Sequence, residues 1–330
     1  MKLVLMKNFL NLLTSFLLLL MLHACQKKVD VFVPDGMHST PDTTWQNSLF
    51  SDMPVIALKN DLRQAKLSDS FAYNNTGIVY NTGNLFLTVP AGGLMNNGGL
   101  VPTGNIHRQS LLVQKKGDFI LQSMPTVSNG RLMVYGGAFF LGLRNNNDEL
   151  NVSQGTSLGI RFNHNAPVTG MKVFNSTEDI ITGFNWIQNT EVLYNKVNVV
   201  STGYEVLSNR MQWVQAAYLF DTTGIPQTTF SLKLPPNYTN ANTLAYIVFN
   251  NMPCVSGMNA NVSARKFLSG NLPVNSPITI VVLSKQVNDY YLGVQQTVVG
   301  TPSSGTGTQD VIISPVKTPI SGIRSFLNNL

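Results

Sequence analysis

Val127-Ser128-Asn129-Gly130-Arg131-Leu132-Met133-Val134 is the stretch that decides the fold of this chain. An Asn-Gly pair is the strongest short signal of a β-hairpin, because a type I′ turn needs positive φ at both central residues. Residues that favour strands flank the pair on both sides. We therefore predict a hairpin in which a strand ending near Val127 turns back into a strand over residues 131–134.

Short apolar runs separated by turn residues continue on both sides of this hairpin, which is typical of short strands. They predict strands at residues 78–80, 85–89, 111–113, 119–121, 138–143, 158–162, 196–200, 203–207, 211–217, 229–234, 245–249, 278–283, 290–298 and 311–313. Phe230, Leu232 and Leu234 alternate with polar residues and should share one strand face.

The chain ends differently, because its last apolar residues recur at spacings of three and four. This spacing predicts one face of a short C-terminal helix. The residues are Ile320, Ile323, Phe326, Leu327 and Leu330.

Composition agrees with an all-β fold of two β-sandwich domains. The chain has 36 asparagines and 26 glycines, while charged residues make up only 12%, about half the usual fraction. The net charge is +6 without any long basic cluster, so the sequence does not support nucleic-acid binding. Two cysteines, of which one has another predicted role, exclude a disulfide framework.

The N-terminus predicts export and lipidation. Lys2 and Lys7 precede an apolar segment over residues 9–22, which is too short to span a membrane but suits a secretory signal. Leu22-His23-Ala24-Cys25 resembles the lipobox of bacterial lipoproteins. The resemblance implies cleavage between Ala24 and Cys25 and acylation of Cys25, including palmitate. The alternative is an ordinary signal peptide that ends in a cysteine by chance.

Two or more acyl chains on Cys25 would hold the mature chain on the membrane without a spanning helix. Gln26 lacks the acidic inner-membrane retention signal, so the resemblance favours the outer membrane, with the periplasmic and surface faces both open. Residues 25–44 lack periodicity and predict a tether. The predicted domains are therefore a signal peptide at 1–24, a tether at 25–44, and β domains at 45–165 and 166–330.

Leu87-Thr88-Val89-Pro90-Ala91-Gly92-Gly93-Leu94 resembles the opening of ZU5-like β-sandwich domains. The segments 125–132 and 136–140 and the sequence Met211-Gln212-Trp213-Val214 resemble a group of Gram-negative outer-membrane lipoproteins with a ZU5-like region. That group has no established activity to carry over. Some ZU5 domains mediate protein contacts and others cleave themselves at a His-Phe-Ser-like triplet, and neither His107 nor His164 begins such a triplet here.

The sequence contains no convincing catalytic or metal motif. His107 and His164 lack the spacing of metal ligands, and the acidic pairs Asp148-Glu149 and Glu178-Asp179 lie among turn residues, which favours solvated acids. The run from Asn145 to Glu149 lacks the pattern of a calcium loop. Cys254 has no nearby histidine and is expected to be a buried, inert thiol. We therefore expect no enzyme activity, no metal and no cofactor.

What remains is binding through large aromatic side chains. Trp213 lies in an apolar strand and is expected in the core, whereas Trp186 and the Tyr290-Tyr291 pair are candidate binding aromatics. The leading hypothesis is a lipid-anchored envelope or cell-surface protein that acts as a non-enzymatic binding or structural module. The alternatives are a glycan-binding accessory lipoprotein and a divergent secreted hydrolase.

Overall fold

A computed structural model describes residues 43–81, 85–176, 184–301 and 308–330 of the chain. Strands make up 50% of it and helices 9%, so the predicted all-β class is confirmed. The predicted signal peptide, the lipidation site at Ala24 and Cys25 and nearly all of the predicted tether lie outside the described residues.

The described residues form 24 strands and three helices. The first strands are β1 Leu67–Tyr73, β2 Ile78–Asn81, β3 Leu85–Val89, β4 Leu94–Asn96, β5 Gly104–Val113, β6 Val127–Ser128, β7 Arg131–Asn145, β8 Asp148–Val152, β9 Leu158–Asn163, β10 Lys172–Ser176, β11 Ile187–Gln188, β12 Lys196–Val200, β13 Gly203–Ser208 and β14 Gln212–Leu219. The others are β15 Gln227–Lys233, β16 Thr243–Phe249, β17 Val255–Gly257, β18 Asn259–Asn261, β19 Lys266–Leu268, β20 Leu272–Pro273, β21 Pro277–Gln286, β22 Asp289–Val298, β23 Thr308–Ile312 and β24 Val316–Lys317. The helices are α1 Pro54–Leu62, α2 Lys116–Leu121 and α3 Ile320–Asn328.

Two antiparallel sheets form the first sandwich. A nine-stranded sheet runs in the order β1-β5-β7-β14-β10-β11, with β4, β6 and β8 attached at its side, and a five-stranded outer sheet runs β12-β13-β9-β3-β2. The predicted hairpin joins β6 to β7 in the nine-stranded sheet. Asn129 and Gly130 have φ of 48° and 79°, and Val127 pairs with Leu132, so the type I′ prediction is confirmed.

Two further sheets form the second sandwich. Its inner sheet runs β17-β16-β21-β22-β24, and its outer sheet runs β18-β19-β15-β20 with β23 beside β15. All pairings are antiparallel except that of β15 with β23, which is parallel. Phe230 and Leu232 share the buried face of β15, as their alternation predicts.

Three apolar cores separate these layers. Alternate residues of β7 enter different cores, since Phe139 lies between the two sheets of the first sandwich and Phe140 lies on the opposite face. In the second sandwich Ile247 faces the core between its own sheets, while Tyr246 joins the cluster that contains Phe140. Strand β7 of the nine-stranded sheet and strand β16 of the second sandwich's inner sheet are therefore buried on both faces, which explains their continuous apolar runs.

The three helices fill the core shared by the two sandwiches. Leu58 of α1, Phe119 of α2 and Leu327 of α3 are fully buried in it. The helix α2 and the helix α3 approach so closely that a Cβ on Gly117 would lie 1.7 Å from the backbone oxygen of Leu327. The predicted C-terminal helix is confirmed, since α3 buries Ile323 and Leu327.

The structure corrects the strand predicted at residues 119–121. These residues belong to α2, where the Asp118 carboxylate accepts hydrogen bonds from the backbone N–H groups of Gln114 and Lys115. A three-residue apolar run has no measurable period, so a buried helical turn and a strand have the same sequence pattern.

The strand predicted at residues 138–143 is longer than expected, because these residues lie within the 15-residue strand β7.

The predicted domain boundary between residues 165 and 166 does not coincide with the division between the two sandwiches. Strand β9 before that point pairs with β13 after it, and β7 pairs with β14 in the same way, so both sheets of the first sandwich cross it. The chain passes from the first sandwich to the second between Leu219, the last residue of β14, and Gln227, the first of β15. Long-range antiparallel pairing of this kind has no local sequence signal.

None of the helices within the described residues has the length and apolar character needed to cross a bilayer.

Candidate functional site

The structure places Trp186 in the core, which corrects its proposed role as a binding aromatic. Its side chain is 0% exposed, and its indole Nε1 donates a hydrogen bond to the carbonyl oxygen of Pro125 at 3.1 Å. Phe184 packs against it with ring centroids 5.6 Å apart. A ring enclosed in this way cannot stack on a ligand. Trp213 is buried as predicted.

Tyr290 and Tyr291 do not form the binding pair that their adjacency suggested. Successive residues of a strand point to opposite faces, and both tyrosines lie in β22. The Tyr290 hydroxyl donates to the Asp61 carboxylate at 2.9 Å, while the Tyr291 ring packs edge-on against Tyr238 at 5.7 Å. Both are half-buried and already occupied by protein contacts.

Cys254 is buried and unpaired, as the sequence predicts. Burial raises the pKa of its thiol to about 12, partly opposed by its hydrogen bond with Thr126. The neutral thiol is therefore the stable form at physiological pH, and it is a poor nucleophile.

A polar groove lies on the nine-stranded sheet, and we call it the sheet groove. It has a volume of about 670 Å³. It lies on the face that carries Phe140, where the helices and the second sandwich no longer cover the sheet. Its polar lining includes Lys66, Ser68, His107, Gln109, Arg144, Asn146, Glu149, Asn151, Asn209, Arg210 and Gln212.

Strand alternation explains why this face is polar. In β5, His107 and Gln109 are exposed while Ile106 and Arg108 on either side of His107 point inward and are buried. The register places His107 opposite Arg144, and Gln109 opposite Gly142 of β7. Gly142 has no side chain, and the Phe140 ring lies beside it, 3.2 Å from where a Cβ on Gly142 would be.

A second groove of about 350 Å³ continues from the first around Arg210, Met211 and Gln212, which line both. We call it the amide groove, because amide side chains dominate its lining. Those amides are Asn175, Asn185, Gln188, Asn189 and Gln212. The two grooves together form a continuous polar surface along one end of the first sandwich.

A network of asparagines fixes the wall between the two grooves. The Asn209 side-chain oxygen accepts from Nδ2 of Asn189 at 3.3 Å and from Nδ2 of Asn195 at 3.0 Å. Its own amide nitrogen donates to the Glu191 carboxylate. The Ser208 hydroxyl closes a tight turn by donating to the Arg210 carbonyl oxygen at 2.8 Å. Residues 208–212 are therefore held in one conformation, which favours binding without a large ordering cost.

The charges of the sheet groove are predominantly positive. Arg144 pairs with Glu149 at 2.8 Å, and the Lys66 ammonium lies 3.5 Å from the ring centroid of Phe140. The Arg210 guanidinium forms no ion pair with any residue that the structure describes. Because Arg144 and Glu149 neutralise each other, the charge of Arg210 has no counterion among the described lining residues.

The lining offers little acid–base or metal chemistry. Glu149 is the sole carboxylate among the described residues of the sheet groove, and it is 57% exposed. No group of three or more His, Cys, Asp or Glu side chains comes together in the described part of the chain. His107 lies across the strand pair from Ser70, and no hydrogen bond joins their side chains among the described residues. Glu178 and Asp179 lie outside the described ranges.

Sequence reasoning identified none of these groove residues as a site, although it considered His107 and Glu149. The lining comes from five strands and spans residues 66–212, so its members share no motif. One signal is visible afterwards: residues 107–110 of β5 are all polar, and of these His107 and Gln109 are exposed while Arg108 and Ser110 are buried. A scan against protein-family models and a search of curated proteins each found no match. The ZU5-like resemblance therefore stays a prediction.

Proposed function

We propose that this protein is a lipid-anchored envelope protein that works as a non-enzymatic binding module, with the sheet groove and the amide groove as its binding surface. The observation that carries the proposal is the continuous polar concavity on a rigid sheet. Binding sites built on strands are positioned more precisely than sites on loops. The asparagine network that fixes Asn209 adds to this rigidity.

The chemistry of the lining favours binding over catalysis. A glycosidase needs two carboxylates that flank the bond to be cleaved, and the described lining of the sheet groove offers only Glu149, paired with Arg144. The divergent hydrolase thus remains the weaker alternative. It predicts that a bound oligosaccharide is shortened with time.

A glycan is the ligand class that the lining supports best. Each Asn or Gln side chain carries two donors and an acceptor with two lone pairs, which matches the paired donors and acceptors of sugar hydroxyl groups.

The anchoring half of the proposal rests on Cys25. The experiment expresses the full chain and its Cys25→Ser variant in a Gram-negative host and measures mature mass and membrane partitioning. We expect a diacyl or triacyl mass increment and membrane association only in the wild type. Equal mass and equal partitioning of the two proteins would refute lipidation.

The binding half is tested on a glycan array with the soluble Cys25→Ser protein. Gln109→Ala combined with Gln212→Ala removes exposed amides from the sheet groove, and Gln296→Ala in the second sandwich is the matched control. We expect the groove variant to lose the array signal and the control to keep it. Mass analysis of the bound sugars should show intact chains, whereas shortened chains would support the hydrolase.

A further inference from the structure

We propose that the ligand of the sheet groove is an anionic oligosaccharide, one that carries carboxylate or sulfate groups, and that Arg210 is the residue that selects it. This inference rests on the proposed binding function and adds the charge of the ligand. It starts from the unequal distribution of ion pairs among the arginines of the first sandwich.

Four other arginines lie in that sandwich's strands, and three of them form an ion pair, whereas Arg131 at the start of β7 forms none with the described residues. Arg108 pairs with Asp69 at 2.6 Å, Arg144 with Glu149 at 2.8 Å, and Arg161 with Glu205 at 3.3 Å. Arg210 is exposed and has no such partner in the described part of the chain. A guanidinium presents a planar set of donors that matches a carboxylate or a sulfate.

The position of Arg210 makes it accessible to a ligand in either groove. It lies on the wall that the sheet groove and the amide groove share. Its backbone is held on both sides, because the Ser208 hydroxyl accepts from the Arg210 N–H at 3.1 Å and donates to the Arg210 carbonyl oxygen at 2.8 Å. The side chain therefore extends from a fixed base.

The surrounding charges add to the preference for an anion. In the sheet groove Arg144 is paired with Glu149, so the charge of Arg210 has no counterion among the described lining residues. The amide groove is balanced, with Arg210 and Glu191 as its charged lining residues among those described. An acidic sugar unit is thus favoured in the sheet groove, while neutral units along the same chain contact the amides of the amide groove.

The amides argue for an acidic sugar rather than an acidic peptide. Gln109, Asn146 and Gln212 are exposed amides in the lining of the sheet groove. Each amide side chain offers donors and an acceptor side by side, which matches the hydroxyl groups of a sugar.

The experiment is a set of binding titrations of the soluble Cys25→Ser protein. The probes are a galacturonic acid hexamer, its neutral methyl ester, a sulfated galactan hexamer and polyglutamate. One charge-assisted hydrogen bond lowers the Kd roughly tenfold or more. We expect about tenfold tighter binding of an acidic sugar than of the ester, a difference that shrinks with added salt.

Arg210→Gln should remove most of that tenfold preference and leave binding of the ester unchanged. Arg161→Gln changes the net charge equally, lies on the outer face of the same sandwich and should keep the preference. Melting curves serve to check that both variants are folded. Whichever acidic sugar binds more tightly identifies carboxylate or sulfate as the preferred group.

Three results would overturn the inference, and they are distinguishable. Equal binding of acid and ester, or an unchanged preference in Arg210→Gln, refutes anion selection while glycan binding stands. Polyglutamate binding as tightly as the acidic sugars refutes the sugar as the ligand class. Failure of all four probes to bind refutes both this inference and the proposed glycan function.

Discussion

Asp61→Asn tests the attachment of the helical layer to the second sandwich. The Asp61 carboxylate accepts hydrogen bonds from the Lys285 ammonium at 2.6 Å and from the Tyr290 hydroxyl at 2.9 Å. The backbone oxygen of Asp61 accepts from the Arg324 guanidinium of α3. One residue at the end of α1 therefore joins α1, β21, β22 and α3.

The magnitude follows from the burial of the pair. Exposed ion pairs contribute about 0–1 kcal/mol, whereas breaking a buried pair costs about 3–5 kcal/mol. The Lys285 side chain is 18% exposed and that of Asp61 is 34% exposed, so the pair lies between these limits. We expect Asp61→Asn to lower the free energy of unfolding by about 2 kcal/mol at neutral pH.

The effect of pH has a definite sign. Burial raises the pKa of Asp61, but the hydrogen bonds from Lys285 and Tyr290 outweigh it, so the pKa lies below its ordinary value of 3.8. The carboxylate thus stabilises the fold above that value, and the stabilisation is lost as pH falls through the lowered pKa. The pKa of Lys285 is raised by its hydrogen bond to Asp61, so that contribution is lost only at strongly alkaline pH.

The assay is urea unfolding of the wild type and of Asp61→Asn, Lys285→Met and the double variant. We expect a coupling energy of about 1 kcal/mol or more at neutral pH that diminishes below about pH 4. Additive effects at neutral pH, or a coupling that does not change on acidification, would refute this account of Asp61.

The remaining predictions concern the core and the thiol. Trp186→Ala should lower the free energy of unfolding, measured in urea, by about 3–5 kcal/mol. It should leave the Kd of the folded protein for a glycan unchanged. A loss of binding by the folded variant would restore Trp186 as a ligand contact. Cys254 in the Cys25→Ser protein should resist thiol reagents at mildly alkaline pH until the protein is unfolded, because burial raises the pKa of its thiol to about 12. Rapid labelling of the native protein would contradict that burial. Asp69→Asn should lower the free energy of unfolding by about 3 kcal/mol, since it leaves the fully buried Arg108 charge without its partner. Adding Arg108→Met should recover much of that loss. A double variant less stable than Asp69→Asn alone would show that the unpaired charge is not the cause.

Local signals predicted much of the strand pattern. Asn129-Gly130 is a complete signal in itself, because the turn it forms needs nothing beyond positive φ at those two residues. The alternation around Phe230 and Leu232 and the spacing of Ile323 and Leu327 are local in the same sense. Each was confirmed, since a strand face or a helix face is decided within a few residues.

Long-range contacts account for what sequence reasoning missed. Trp186 lies between Asn185 and Ile187 in a stretch with no clear periodicity, and its indole is hydrogen-bonded to the carbonyl of Pro125, 61 residues earlier. The sheet groove depends on the pairing of β5 with β7, which brings Gln109 opposite Gly142, and on the start of β14, where Gln212 joins the same lining. No pattern within either strand reports that pairing.

The most direct test of the account blocks the sheet groove physically. Gly142→Trp places a large ring on the groove floor, and Gln109→Trp does so from the neighbouring strand. Gly270→Trp is the matched control, because nothing lies within 4 Å of a Cβ built on Gly270. In a titration with the tightest-binding glycan, we expect both groove variants to lose binding while remaining folded. The control should bind like the wild type. Undiminished binding by folded Gly142→Trp and Gln109→Trp would contradict the account.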